Sequence, residues 1–408
     1  MRYTFDIKGE RRLAAFFEGV GDLLGHPVRR DVFACVALGL LGEAPRKSME
    51  PLAAESRTKP SGTSAEHQRI QQFITDSPWE DESVRLYAAR YAVLAMTARG
   101  EAIKTWIIDD TGFPKSGEHS VGTQRQYSGT LGKIANCQIG VSLSIATDSA
   151  HVPIDFELYL PEDWTEDTER REKARIPDAI VFKTKPQLAL GMIARAMDAG
   201  IPGDTVLTDA GYGNSTEFRD TVRVLGFDYG VGVLNTMRVR GLDTLERRNG
   251  EAVSARALAM SLPKSAYRKY TWREGVNKKL SSRFAFRRVE VDPKQKRGTV
   301  EREAEWLVIE WPEGEKEPTK YFLTTLGRKL SKRKIVRTIK ERYRTEKVYE
   351  EMKGELGLDH FEGRRFRGWH HHVTVAICCY AFVVSERIRR FPPSRARSRG
   401  ADDLACAA

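Results

Sequence analysis

The stretch TWIIDDTGF, Thr105–Phe113, decides how the rest of the chain is read. Trp106, Ile107 and Ile108 are the aromatic and β-branched types that fill strands, and two aspartates follow them directly. Carboxylates at the end of a buried strand need partners, so the neighbouring elements matter. CQIGVSLSIATDS and HVPIDFELYLPEDW are two further β-type runs, and with no helix between the three an antiparallel meander is expected. The helix KPQLALGMIARAMDAG follows, closed by Gly200. Then come the strand TVLTDAGYG, the helix STEFRDTVRVLG and the strand DYGVGV.

From Thr105 onward the order is therefore β-β-β-α-β-α-β, which is the ribonuclease H-like order: an α/β fold with a mixed sheet flanked by helices on both faces. Residues 101–233 and 318–390 make up this core. Before it, residues 1–100 carry apolar residues at helical spacing and read as an N-terminal helical domain, expected to bind DNA by placing a helix in the major groove or equally to serve as a dimerisation or scaffold domain. Between its two parts, residues 234–317 form a basic β-rich insertion with YRKYTWREG, SSRFAFRRVEVD and AEWLVIEWPEG as strands. Residues 391–408 have the composition of a basic disordered tail. At 408 residues the chain exceeds one core of about 100 to 200 residues, in keeping with this division.

Lys and Arg number 67 against 56 Asp and Glu, giving +11. The excess is clustered: RKLSKRKIVRTIK (328–340) holds seven bases and no acid, RIRRFPPSRARSR (387–399) holds six, and 264–297 is also basic. One such run is ordinarily a solvated face, but three in one chain point to a polyanion. No stretch approaches the roughly 20 apolar residues of a membrane span. The charged N-terminus lacks the apolar core of a secretion signal, so a cytoplasmic, nucleoid-associated protein without membrane contact is expected. Five cysteines, Cys35, Cys137, Cys378, Cys379 and Cys406, are odd in number and unpaired in spacing, which fits packing roles.

Three acids fall where the fold can gather them. Asp110 ends the first strand, Asp209 ends the fourth beside it, and Glu346 lies on a late helix. Neighbouring carboxylates repel unless a cation lies between them, and a divalent metal serves. At roughly 100° per residue, Arg342, Glu346 and Lys353 share the stripe of Ile335 and Ile339, so this inward stripe turns from apolar to charged. The bland reading of the helix is an Arg342–Glu346 i,i+4 salt bridge of ~0.3 to 0.5 kcal/mol. His370, His371 and His372, about 100° apart on a helix, cannot converge on one ion. Lys115, Arg125 and Lys133, in the Gly-rich segment GFPKSGEHSVGTQRQYSGTLGK read as a loop, are placed to approach DNA.

WIIDDTGFPKSGEHSVGTQRQYSGTLGKIANCQIGVSLSIATD, LYLPEDW, VLTDAGYG and EMKGELGLDHFEGRRFRGWHHH resemble the DDE transposases of bacterial insertion sequences, in particular those with a β-rich insertion before the catalytic Glu. The resemblance implies metal-dependent DNA cleavage at the element's ends and 3′-OH strand transfer into target DNA. It implies two Mg²⁺ ions, with Mn²⁺ as substitute, held by the catalytic acids Asp110, Asp209 and Glu346. Asp110 is selected over Asp109 because the family's first acid directly precedes Thr or Ser. Arg342 and Lys353 fit a helical signature that contacts DNA phosphates, although Ile339 stands where the signature has Tyr, with Tyr343 one turn away. The implied partners are the terminal inverted repeats and target DNA, bound by a homodimer on paired ends. Trp272, Trp306 and Trp311 are candidates to hold a flipped base. Two other readings stay open: a domesticated DNA-binding regulator of the same fold, and a metal-dependent nuclease without strand transfer.

Overall fold

The computed structural model describes residues 6–55, 63–129, 131–242, 250–274, 279–292, 304–327 and 330–390. The tail at 391–408, and with it Cys406, lies outside them, as do Arg328 and Lys329 of the basic run. The helices come first: α1 (Ile7–Leu23), α2 (Pro27–Leu41), α3 (Met49–Glu55), α4 (Thr63–Thr75) and α5 (Asp81–Ala98). Asp6 starts α1 by accepting from the Gly9 N–H at 2.7 Å, and Pro27 opens α2, where its missing N–H is not needed.

Strands β1 (Thr105–Pro114), β2 (Gln124–Ser128), β3 (Lys133–Ala146) and β4 (His151–Tyr159) follow. The short helices α6 (Glu162–Glu166) and α7 (Thr168–Ala174) lead to α8 (Lys185–Asp198), whose start is a capping box of Thr184 and Gln187. Gly200, at φ 69°, takes the left-handed turn after α8. Next are β5 (Thr205–Thr208), α9 (Ala210–Gly213), α10 (Thr216–Val224) and β6 (Asp228–Val233). The insertion holds β7 (Arg238–Gly241), β8 (Val253–Ser254), α11 (Ala255–Met260), β9 (Arg268–Glu274), β10 (Lys279–Val291) and β11 (Glu305–Trp311). Then β12 (Lys320–Thr324), α12 (Lys332–Lys340), α13 (Arg344–Leu356) and α14 (Phe366–Arg390) close the chain.

The strand order is β2-β3-β1-β5-β6-β12-β11-β10-β7-β8, with β4 on β3 and β9 on β10. β1, β5 and β6 are parallel neighbours, and the remaining pairs are antiparallel. This is the mixed ribonuclease H-like sheet that the element order predicts, with two differences. The segment read as a Gly-rich loop contains a strand, β2, which forms a ribbon with the start of β3. The insertion also builds on the same sheet, because β12 bridges β6 of the core and β11 of the insertion.

α14 passes through the middle of the molecule, buried along most of its length. The N-terminal helices pack on it: Phe16 of α1 lies 4.8 Å from Tyr91 of α5 and 5.6 Å from Phe382 of α14, ring centre to ring centre. Their side chains belong to the same buried cluster as those of β1, β3 and β4, so residues 6–98 share the core of the sheet. The three histidines of α14 point to three different places. His371 reaches the carbonyls of Ile74 and Trp79, His372 that of Gly357, and His370 that of Phe366. Burial lowers the pKa of His371 and His372 to about 4, which keeps them neutral. Among the described residues, Cys35, Cys137, Cys378 and Cys379 are thiols outside any disulfide. Among the described residues no helix is long and apolar enough to cross a membrane.

Candidate active site

β1 runs four residues past Asp110 to Pro114, so both aspartates lie inside the strand and point to opposite faces. Asp109 lies opposite Ser142 of β3, and Tyr349 of α13 bonds the Ser142 hydroxyl at 2.6 Å, so the Asp109 face is the one covered by α13. On the other edge, Ile107 pairs in parallel register with Leu207, which brings Asp209, two residues further along, level with Asp109. Asp209 ends β5 and caps α9, its Oδ1 accepting from the Gly211 N–H at 2.8 Å.

The turn that carries Asp209 packs directly on β6. A Cβ at Gly213 would lie 1.9 Å from the Gly232 carbonyl oxygen, and one at Gly232 would lie 2.9 Å from the Ala210 nitrogen. Gly213→Ala must therefore push backbone against backbone, and a loss of about 1–3 kcal/mol is expected in urea unfolding. A stability equal to that of the parent would mean that this turn is not held against β6.

The long helix expected to carry Glu346 is broken. α12 ends at Lys340, residues Glu341–Tyr343 form a 3₁₀ turn, and α13 starts at Arg344. The tighter turn adds roughly 20° per residue to the helical phase. Glu346 therefore does not follow the stripe of Ile335 and Ile339: those two are buried and Glu346 is exposed, in the first turn of α13. Arg342, in the 3₁₀ turn, does not pair with Glu346 along the helix. Its Nη1 reaches Asp109 Oδ2 at 2.5 Å, and the Arg342 charge is stabilised by Asp109, then Asp209, then Glu346.

Burial raises the Asp109 carboxyl pKa to about 7; Arg342 pulls it down, while Asp209 and Asp110 push it up. Asp110 has different company on the opposite face: Lys185 of α8 at 3.0 Å and the Tyr212 hydroxyl at 3.1 Å, both on Oδ2. The structure thus groups Asp109, Asp209, Arg342 and Glu346 electrostatically and turns Asp110 away from α13. By strand alternation it is Asp109, and not the Asp110 expected from the Thr111 that follows it, that faces Arg342. Among the described residues no three His, Cys, Asp or Glu side chains are close enough together to hold a metal ion as they stand.

The five bases expected to contact DNA divide into three groups. Arg125 and Lys133 on the β2–β3 ribbon are exposed. Lys115 and Lys353 are turned inward instead. Lys115 Nζ donates to the Phe361 carbonyl, and Lys353 Nζ donates to the Gly112 carbonyl at 2.6 Å over the Phe113 ring. Burial lowers both pKa values, that of Lys353 to about 8. These two lysines brace the far end of β1. Arg342 is held by Asp109.

Among the three tryptophans, Trp272 lies nearest this region. Its ring is 5.3 Å from Tyr343 in the 3₁₀ turn, and Lys340 lies 4.7 Å over it. Trp306 packs on Phe286, while Trp311 donates to the Glu315 carbonyl at 2.9 Å.

Known proteins point the same way. Residues 19–279 match the DDE superfamily endonuclease family, and residues 181–382 match the transposase DDE domain. A probable transposase for insertion sequence element IS701 from Microchaete diplosiphon is 28% identical over 204 residues, 50% of this chain and 48% of the relative. The alignment thus spans about half the length of that relative. Since the first match covers more than half of the residues and contains both aspartate-bearing strands, the chain belongs to the DDE superfamily of endonucleases.

Proposed function

We propose that this chain is an insertion-sequence transposase that cuts DNA at the ends of its element and joins the freed 3′-OH to a target phosphodiester. The observation that carries the reading is the level placement of Asp109 and Asp209 on adjacent parallel strands, facing the segment that bears Arg342 and Glu346. The donor set fits a divalent cation, since one carboxylate inside a strand, one at a strand end and one on a helix are the hard oxygen ligands that Mg²⁺ and Mn²⁺ take. Asp109, Asp209 and Glu346 would hold the metal, two ions being the expected number. When bound, it supplies charge stabilisation for phosphodiester cleavage and lowers the pKa of the attacking group.

The chain's own residues do the rest. Arg342 neutralises charge next to the scissile phosphate, and the Gly213–Gly232 contact fixes the position of Asp209. Arg125 and Lys133 with the exposed bases of α12, Lys332, Arg333 and Lys334, contact the DNA backbone. The N-terminal helices bind the terminal repeats, and two copies pair the ends.

The test is a two-plasmid reaction, with the flanking repeats of the chain's own gene on the donor. Excision and insertion are expected with Mg²⁺ or Mn²⁺, full loss with EDTA, and recovery when the metal is returned. Cleavage without joining would support a plain nuclease, and end binding without cleavage would support a regulator.

A further inference from the structure

β3 continues beyond the end of β1. From Asn136 back to Lys133 it pairs with β2 alone, so Gln124–Ser128 and Lys133–Asn136 form a two-stranded ribbon outside the body of the sheet. The ribbon is not free to swing. Ser128 is fully buried, and a Cβ at Gly112 would lie 2.4 Å from its hydroxyl, so the ribbon's inner face is seated on β1. Gly112 is three residues past Asp109, on the order of 10 Å along the strand.

With Ser128 turned in, its neighbour Tyr127 turns out. Tyr127 and Ile134 are directly opposed across the ribbon and are 64% and 60% exposed, and Leu131 in the turn is 42% exposed. A tyrosine, an isoleucine and a leucine together at the tip of a two-stranded ribbon form an exposed apolar patch on its outer side. Its surroundings are basic: Arg125 lies two residues from Tyr127 on the same face, and Lys133, paired with Ser128 beside Ile134, is exposed at the end of the ribbon. Among the described residues, neither base has a carboxylate within ion-pair distance.

We propose that this ribbon is a DNA wedge. Tyr127 and Ile134, with Leu131 at the tip, enter the minor groove and pack against a base step, while Arg125 and Lys133 hold the flanking phosphates. Large apolar side chains on a narrow basic element suit a groove that they can widen and kink. Charge favours DNA over a second copy of this basic chain. Seating on Gly112 sets the range: the contacted step lies within about three to six base pairs of the cleaved phosphate, at roughly 3.4 Å per step. The inference rests on the proposed function and adds a specific surface to it.

The experiment uses the full chain and a duplex bearing its own flanking repeat, with hydroxyl-radical footprinting and a fluorescence-transfer measurement of DNA bending. For Y127S/I134S, the expected result is a footprint lost only near the cleavage point, a reduced bend and about tenfold weaker binding. R125A/K133A should weaken binding and flatten its salt dependence while keeping the bend. Both pairs are exposed, and a melting curve equal to wild type verifies folding. If Y127S/I134S gives the wild-type footprint and bend, the ribbon proposal fails while the transposase reading stands. A changed oligomeric mass in that variant would assign the patch to contacts between copies and also overturn the proposal. If the wild type leaves no footprint at all, the transposase reading falls and the wedge with it.

Discussion

Asp109→Asn is expected to reduce DNA cleavage on the order of 1,000-fold or more, with end binding kept, and Asp209→Asn and Glu346→Gln are expected to match it. Asp110→Asn should cost far less. The contrast follows from alternation within one strand. Asp109 shares its face with α13 and lies level with Asp209, while Asp110 is bonded to Lys185 and Tyr212 on the other face. An amide at 109 keeps the size of the side chain and removes the charge proposed to hold the metal. Cleavage rates at saturating Mn²⁺, with end binding by anisotropy, decide the matter. A large loss in Asp110→Asn with a small one in Asp109→Asn would restore the acid that precedes Thr111 to the leading role.

The second large effect is on stability. Arg85 of α5 is buried, donates to Asp81 and to the Thr374 hydroxyl, and lies 2.9 Å from Asp155 of β4. It joins the N-terminal helices to the sheet and to α14. Arg85→Met leaves the buried Asp155 and the half-buried Asp81 short of a cation, at an expected cost of about 3–5 kcal/mol. Arg195, 2.7 Å from Asp155, offsets part of this.

The pH dependence carries a sign. Burial alone would raise the Asp81 pKa, but Arg85 and its neighbours bring it to about 2, below the usual 3.8. In the wild type that pair stabilises the fold above pH 3.8 and loses its contribution as pH falls through 2. In the variant the half-buried Asp81 carboxyl keeps its desolvation and loses the Arg85 charge, so its penalty is expected to be largest at neutral pH and relieved by protonation. The gap between Arg85→Met and wild type in urea should therefore be wider at pH 7 than at pH 4. A gap of constant size would mean that Asp81 keeps its charge without Arg85.

Much of the architecture was legible because its signals are local. The apolar run at 106–108, the closing Gly200 and the strand 205–208 each declare themselves, and their order fixes the sheet. β2 did not declare itself, since QRQYS has no run of apolar residues at strand spacing and is held as a strand by pairing with β3 and by the seating of Ser128 on β1. The break at Glu341–Tyr343 was equally silent: no Pro or Gly marks it, and a helical wheel drawn through it misplaces Glu346. The choice between Asp109 and Asp110 depends on which face α13 covers, and that is a property of packing between distant parts of the chain.

The continuity of the sheet also bears on how such chains can be recombined. Phe284, Phe286 and Val308 of the insertion strands pack with Ile335, Val336 and Ile339 of α12, and α12 leads through the 3₁₀ turn to Glu346. The insertion is thus the bed on which the third acid's helix is laid. A chimera that exchanges only β7–β11 with a relative would graft a foreign surface beneath α12 and tilt Glu346 away from the strands. A chimera that exchanges everything from β6 through α13 moves bed and helix as one block, and that is where the family's crossover points should tolerate exchange.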